Sequence, residues 1–172
     1  MRLRDATTAD REALVDLVLR CDQTYREWAG SDLRLPSHDE ELAHWHRRFS
    51  DPLQHIRVAE VDGAIAGTCA WTQARTGHGL GAPIAGRAHV SAVFVDPAHW
   101  RKGIARALLD EAVQAMAKAG FASAQLWTPK DAPARRFYEA SGWTIVLGAA
   151  LHMPELNLPL VMYERPLTST AT

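Results

Sequence analysis

Val93-Phe94-Val95-Asp96-Pro97-Ala98-His99-Trp100-Arg101-Lys102-Gly103-Ile104-Ala105-Arg106 joins a strand to a helix through a turn of cations and small residues. The run Ala88 to Val95 is the strongest strand in the chain, and Asp96-Pro97 ends it because proline cannot donate to a ladder. The helix that follows is expected from Arg101 to Ala119, with Ile104, Leu108, Val113 and Met116 on its apolar side and Gly120 as C-cap. A helix start has free N–H groups and a positive dipole end, and here Gly103 and Ala105 leave the backbone open while Arg101, Lys102 and Arg106 add charge. These residues fit a pyrophosphate cradle and a plain basic helix start equally well. They match neither the Walker A pattern nor Gly-x-Gly-x-x-Gly.

Working outward, Ala124 to Thr128 reads as a buried strand, Asp131-Ala132-Pro133 opens a short helix through Ala140, and Trp143–Ala149 and Leu158–Tyr163 supply two more strands. Upstream, Ile56–Glu60, an Asp62-Gly63 turn and Ala64–Gln73 form an antiparallel hairpin signature, and residues 75 to 87, rich in glycine, read as a loop. Leu3 and Arg4 give a short first strand. Leu14, Leu17, Val18 and Cys21 recur at helical spacing behind Thr8, and Ser37-His38-Asp39-Glu40 has capping-box spacing before Leu42, Trp45 and Phe49. The order β-α-α-β-β-β-α-β-α-β-β predicts an α/β (α+β) fold with a mixed central sheet.

The 172 residues suit one domain spanning 1–172, with residues 167–172 expected as a disordered tail. A net charge of -1 excludes the polybasic classes, so neither nucleic acid nor membrane is expected as a partner. The charge is uneven: seven cations against three acids between His99 and Arg136 favour a phosphate-bearing ligand there. Cys21 and Cys69 sit in apolar runs and read as packing thiols. His38, His44 and His46 lack a carboxylate or cysteine to complete a first shell, so no metal is expected. The opening Met1–Asp5 has no apolar signal core, from which a cytoplasmic location is expected.

A second constellation follows the first at a telling distance: Asp131-x-x-Ala134-x-x-Phe137-Tyr138-x-x-x-Gly142-Trp143. With Val95-Asp96-Pro97 and Trp100-x-x-Gly103-x-Ala105 it resembles the acyl-CoA-binding half of the GNAT superfamily N-acetyltransferases, closely over residues 88 to 146. The resemblance implies a mostly antiparallel sheet flanked by helices and splayed at the cofactor-binding strand, with acetyl-CoA as co-substrate. It implies that the backbone of Val93, Phe94 and Val95 binds the pantetheine arm as an added strand. It also implies that the N–H groups of Arg101, Lys102, Gly103, Ile104, Ala105 and Arg106 hold the pyrophosphate. Tyr138 matches the tyrosine that protonates the leaving thiolate, a reasonable task for a phenol of reference pKa ~10. Trp100 stands where the family has Gln or Arg, and Asp131 where it has Asn, so Asp131 is either a cofactor contact or only a helix cap.

Direct transfer also needs a base and an oxyanion donor, and the latter falls to the Val93 N–H. His89 and Ser91 on the central strand, and His152 and Glu155 between the last two strands, are base or acceptor-side candidates, with Trp28 beside them. Acidic and aromatic residues from Trp28 to Trp45 suit a cationic acceptor such as a polyamine. The chain is therefore expected to move acetyl from acetyl-CoA to a primary amine of a small molecule in a ternary complex, as a monomer or homodimer. Two alternatives stay open: an acetyltransferase of protein amino termini or lysines, and a non-catalytic acyl-CoA sensor.

Overall fold

The structure is a computed structural model that describes residues 1–167. Seven strands form one sheet in the order β1-β2-β3-β4-β5-β7-β6, where β1 is Arg2–Asp5, β2 His55–Val61, β3 Ala64–Arg75, β4 Pro83–Val95, β5 Ser123–Pro129, β6 Thr144–Met153 and β7 Leu158–Pro166. Every neighbouring pair is antiparallel except β4 and β5. That parallel pair needs a crossover, and α3 (Ile104–Lys118) supplies it. Helices α1 (Arg11–Gln23) and α2 (His38–Ser50) cover the opposite face, and α4 (Ala134–Ala140) follows β5. The expected fold class and element order are those of the structure.

Two cores sit on the two faces. Ile104, Leu108, Leu109, Ala112 and Met116 of α3 pack on Val90, Val95, Leu126 and Tyr163. Leu14, Leu17, Val18 and Cys21 of α1 and Trp45 of α2 pack on Ile56, Val58, Ala70 and Ala92. α2 starts as its sequence dictates: Ser37 accepts from the Glu40 N–H, and the Glu40 carboxylate accepts from the Ser37 N–H.

Several boundaries differ from expectation. The loop expected over 75–87 shrinks because β3 runs to Arg75 and β4 begins at Pro83, a strand's first position, where the missing N–H does no harm. α3 begins at Ile104 instead of Arg101, since Arg101 (φ 61) and Gly103 (φ 80) both hold left-handed backbone. β6 extends to Met153 past an irregularity between Ile145 and Ala150, which leaves only a turn at 154–157. Leu167 is buried and its N–H donates to the Ala122 carbonyl, so it belongs to the folded body; the rest of the expected tail lies outside the described residues.

Candidate active site

The site begins where two strands part. β4 and β5 pair from Arg87–Ser123 to Val90–Leu126 and no further, while β5 continues along β7 and β4 along β3. At the parting point Ser91 is an extra residue, since Ala70 faces Ala92 and Trp71 faces Val90. One inserted residue switches side-chain parity. Ala88 and Val90 face the α3 core before it, and Val93 and Val95 face that core after it, with Ala92 and Phe94 turned to α1 and α2. The Asp96 N–H donates to Ala66, which puts the even residues in the ladder with β3 and aims the N–H and C=O groups of Val93 and Val95 into the gap. Phe94 is held by its ladder to Thr68.

Arg48 of α2 fixes the bulge. Its two terminal nitrogens donate to the Ser91 hydroxyl at 2.6 Å and the Ser91 carbonyl at 2.9 Å, and its guanidinium lies 5.3 Å from the Trp45 ring. Burial pulls its pKa down to about 10, still well above neutral. The gap's far end is closed by the Val95 carbonyl, which accepts from the Trp100 indole N–H at 2.7 Å and from the Cys21 thiol at 3.2 Å. Trp100 thus brings a polar contact of its own to the position where the family has Gln or Arg.

Beyond Trp100, the turn through Arg101, Lys102 and Gly103 delivers the first N–H groups of α3, including those of Ile104, Ala105 and Arg106, which have no intrahelical acceptor. A Cβ built on Gly103 would meet nothing within 4 Å, so the cradle is open. Lys102 donates to the Ala98 carbonyl and Arg106 to the Ala140 carbonyl, which ties the start of α3 to the end of α4. Asp131 is exposed and does not cap α4, whose N-cap is Pro133 with no side-chain cap bond.

Tyr138 on α4 is 8% exposed and packs at 5.4 Å from Phe137 and 6.2 Å from Tyr163, ring centre to ring centre. Its hydroxyl has no hydrogen-bond partner among the described residues, and burial raises its pKa, so it stays protonated at neutral pH. Tyr25, just past α1, is also raised by burial and lies within electrostatic reach of Asp22, Cys21, Glu41 and Tyr138. Asp22 is 3% exposed, and burial, aided by Glu41, pushes its carboxyl up to about 7. The C-terminal turn of α1 works in the same direction, because the helix dipole disfavours a negative charge there.

The other candidates are placed less centrally. His89 faces α2, and burial with the Arg48 charge pushes it down to about 4, so it is neutral near pH 7; its Nδ1 has no partner among the described residues. Ser91 Oγ is engaged by Arg48 and donates to Gln54 at 3.3 Å. His152 is exposed and lies within β6 instead of a loop, and Glu155 is exposed in the β6–β7 turn. That turn is strapped to the α1–α2 connection: Arg34 donates to the Glu155 carbonyl, and the Asn157 amide donates to the Asp32 carbonyl. Trp28 is half-buried against Tyr25 at 4.9 Å. Trp45, at 1% exposed, belongs to the core, so the expected acidic and aromatic lid is not assembled as such.

A cavity of about 820 Å³ opens beside the bulge, with Ser91, His89, Gln125 and Trp127 at one side and α2 at the other. Sequence reasoning missed this cavity's arginines, the clamp Arg48 and the buried Asp22. Asp22 had a signal: it extends the α1 stripe, at i+4 from Val18. Among the described residues there is no group of three or more His, Cys, Asp or Glu arranged to hold a metal, and no helix long and apolar enough to cross a membrane.

Solved structures share this fold. An acetyltransferase of the GNAT family from Staphylococcus aureus Mu50 superposes with a TM-score of 0.73 at 16% identity, covering 97% of this chain and 99% of that one. PaiA N-acetyltransferase from Thermoplasma acidophilum, solved in complex with coenzyme A, gives 0.68 at 17% identity over 96% and 98%. The ribosomal-protein-S18-alanine N-acetyltransferase from Escherichia coli gives 0.69 at 15% identity over 99% and 96%. No curated protein matches the chain. The model of the Acetyltransferase (GNAT) family matches residues 21–143, well over half of the sequence, and the chain belongs to that family.

Proposed function

We propose that the chain acts as one acetyltransferase domain that moves acetyl from acetyl-CoA to a primary amine of a small molecule. The observation that carries this reading is the gap between β4 and β5, with the Val93 and Val95 backbone aimed into it, the open Gly103 turn beyond one end and Tyr138 packed on the same core. Bound there, acetyl-CoA supplies an activated acetyl thioester. Val93 and Val95 bind the pantetheine arm as a strand would, and the first N–H groups of α3 take the pyrophosphate. The Val93 N–H stands where charge develops on the carbonyl oxygen. Tyr138, held protonated by burial, donates to the departing thiolate. Asp22, held near 7 and, like Tyr138, within electrostatic reach of the intervening Tyr25, accepts through water the proton that the acceptor ammonium must lose.

The cavity of about 820 Å³ beside the bulge is the recess open to an acceptor, and a recess of that size favours a small amine over a protein terminus. The reading is tested by titrating the protein calorimetrically with acetyl-CoA, desulfo-CoA and ATP. Both CoA compounds are expected to bind and ATP is not; failure of both would sink the assignment. Turnover then separates enzyme from sensor. Tyr138→Phe is expected to lower kcat about a hundredfold with acetyl-CoA affinity unchanged, whereas a sensor would show no activity to lose.

A further inference from the structure

The cavity beside the bulge has a sign. Its lining includes Arg47, Arg48, Arg75 and Arg87, against Asp51 as its single carboxylate. Asp51 is partly occupied, since it accepts from the Leu53 N–H. Arg47 has no hydrogen-bond or ion-pair partner among the described residues. Arg75 donates to the Gly81 carbonyl at 2.9 Å, which leaves its charge uncompensated. Arg87 has, among the described residues, a single long ion pair, 3.6 Å to Glu164. Arg48 spends its terminal nitrogens on Ser91, and its buried Nε has no partner among the described residues.

Two histidines of the same wall are held neutral, mainly by burial and further by the arginines. His44 is pushed down to about 4 by burial and by Arg48 and Arg47, and His89 to about 4 by burial and by Arg48. Neither adds charge near pH 7, so the arginines set the sign of the wall. A purely cationic acceptor such as a polyamine would be repelled from this space. An arginine-lined cavity of this size instead matches a small molecule with an anionic end, which a guanidinium can grip with paired N–H donors. The apolar remainder of the wall, Leu53, Ile84, Trp127, Leu151 and Met162, suits a short hydrocarbon body.

We propose that the acceptor is an amine that carries a carboxylate or a phosphate, and that Arg47, Arg75 and Arg87 hold this anionic group while the amine reaches the bulge at Ser91. This deepens the acetyltransferase reading and rests on it. The arrangement also helps the chemistry, because a cationic wall lowers the acceptor ammonium's pKa and so raises the fraction of free amine.

The test is acetyl-CoA-dependent thiol release by the full chain with matched probes: L-leucine against isoamylamine, O-phosphoethanolamine against ethanolamine, and spermidine as a cationic comparator. The anionic member of at least one pair is expected to exceed its neutral partner about tenfold or more in kcat/KM. Which pair responds distinguishes carboxylate from phosphate. Arg75→Gln and Arg47→Gln are each expected to raise KM for that probe about tenfold with KM for acetyl-CoA unchanged, and Arg75→Lys to recover part of the loss. Preference for spermidine or the neutral amines, or arginine variants with unaltered KM, would overturn the proposal. So would the absence of calorimetric binding of every anionic probe to the CoA-loaded protein. If acetyl-CoA itself does not bind, it is the acetyltransferase reading that falls.

Discussion

Asp22 ties a rate to a protonation state. Its carboxyl, held at about 7 by burial and by Glu41, changes charge within the range where an acetyltransferase assay is run. As the proposed base, it is active only when deprotonated, so kcat/KM should rise with pH through a limb near 7 and level off above it. Asp22→Asn is expected to lower kcat by about a hundredfold and to abolish that limb, with acetyl-CoA affinity unchanged. A pH–rate profile of both proteins checks this, and a limb that survives in the variant would assign the base elsewhere. His89 is the natural comparison: at about 4 it is already neutral across the same range and would place the limb far lower. Tyr138 could be named from sequence because it sits in a recurring pattern, Phe137-Tyr138 with Gly142 four residues on. Asp22 belongs to no such pattern, and only its continuation of an apolar stripe marked it.

At the scale of elements, the α3 start and the β4–β5 gap depend on backbone shape more than on side chains. Gly103 holds φ 80 with open space where a Cβ would project. Gly103→Ala therefore meets no protein atom, and its folding penalty is backbone strain alone, about 1 kcal/mol. That open space is nevertheless where the cofactor phosphates are proposed to lie. The variant should lose only a few degrees of Tm yet bind acetyl-CoA about tenfold more weakly by calorimetry, and equal affinity would move the cradle away from this turn. Element order and type were legible because strand alternation, the capping box at Ser37 and the stop at Asp96-Pro97 are local signals. The bulge at Ser91 was not, because an extra residue in a strand is defined only against its partner β3. Arg48 was illegible for the same reason: its meaning is the Ser91 contact, 43 positions away in sequence. The helix start moved from Arg101 to Ile104 because the turn needs left-handed backbone at a residue, Arg101, that gives no hint of it.

For the whole molecule, buried Asp22 and the half-buried His44 and His89 dominate how stability responds to pH between 4.5 and 6.5. His44 and His89 have folded values of about 4 against an ordinary 6.5, so their contribution to stability is complete above 6.5 and is lost as pH falls through the window to 4. Asp22 has a folded value of about 7 against an ordinary 3.8, so its contribution is complete below 3.8 and is lost as pH rises to 7. Inside the window the two histidines outweigh Asp22 by one proton, and Glu41, whose carboxyl is also raised by burial, opposes them at the acid end. The wild type should therefore lose at most about 1.4 kcal/mol for each unit of acidification between pH 6.5 and 4.5. Asp22→Asn removes the opposing term, so its loss should be about twice as steep, while at pH 8 it should be more stable than wild type despite its lower activity. His89→Gln should flatten the wild-type slope toward zero. Urea denaturation at pH 8, 6.5, 5.5 and 4.5 reads all three slopes, and a steeper loss in His89→Gln than in wild type would show that His89 does not stay neutral beside Arg48. Below this window further losses come from Asp10, which its Arg4 partner holds down to about 2 at the β1 edge of the sheet, and from Glu40 and Asp96, which are likewise held below their ordinary values.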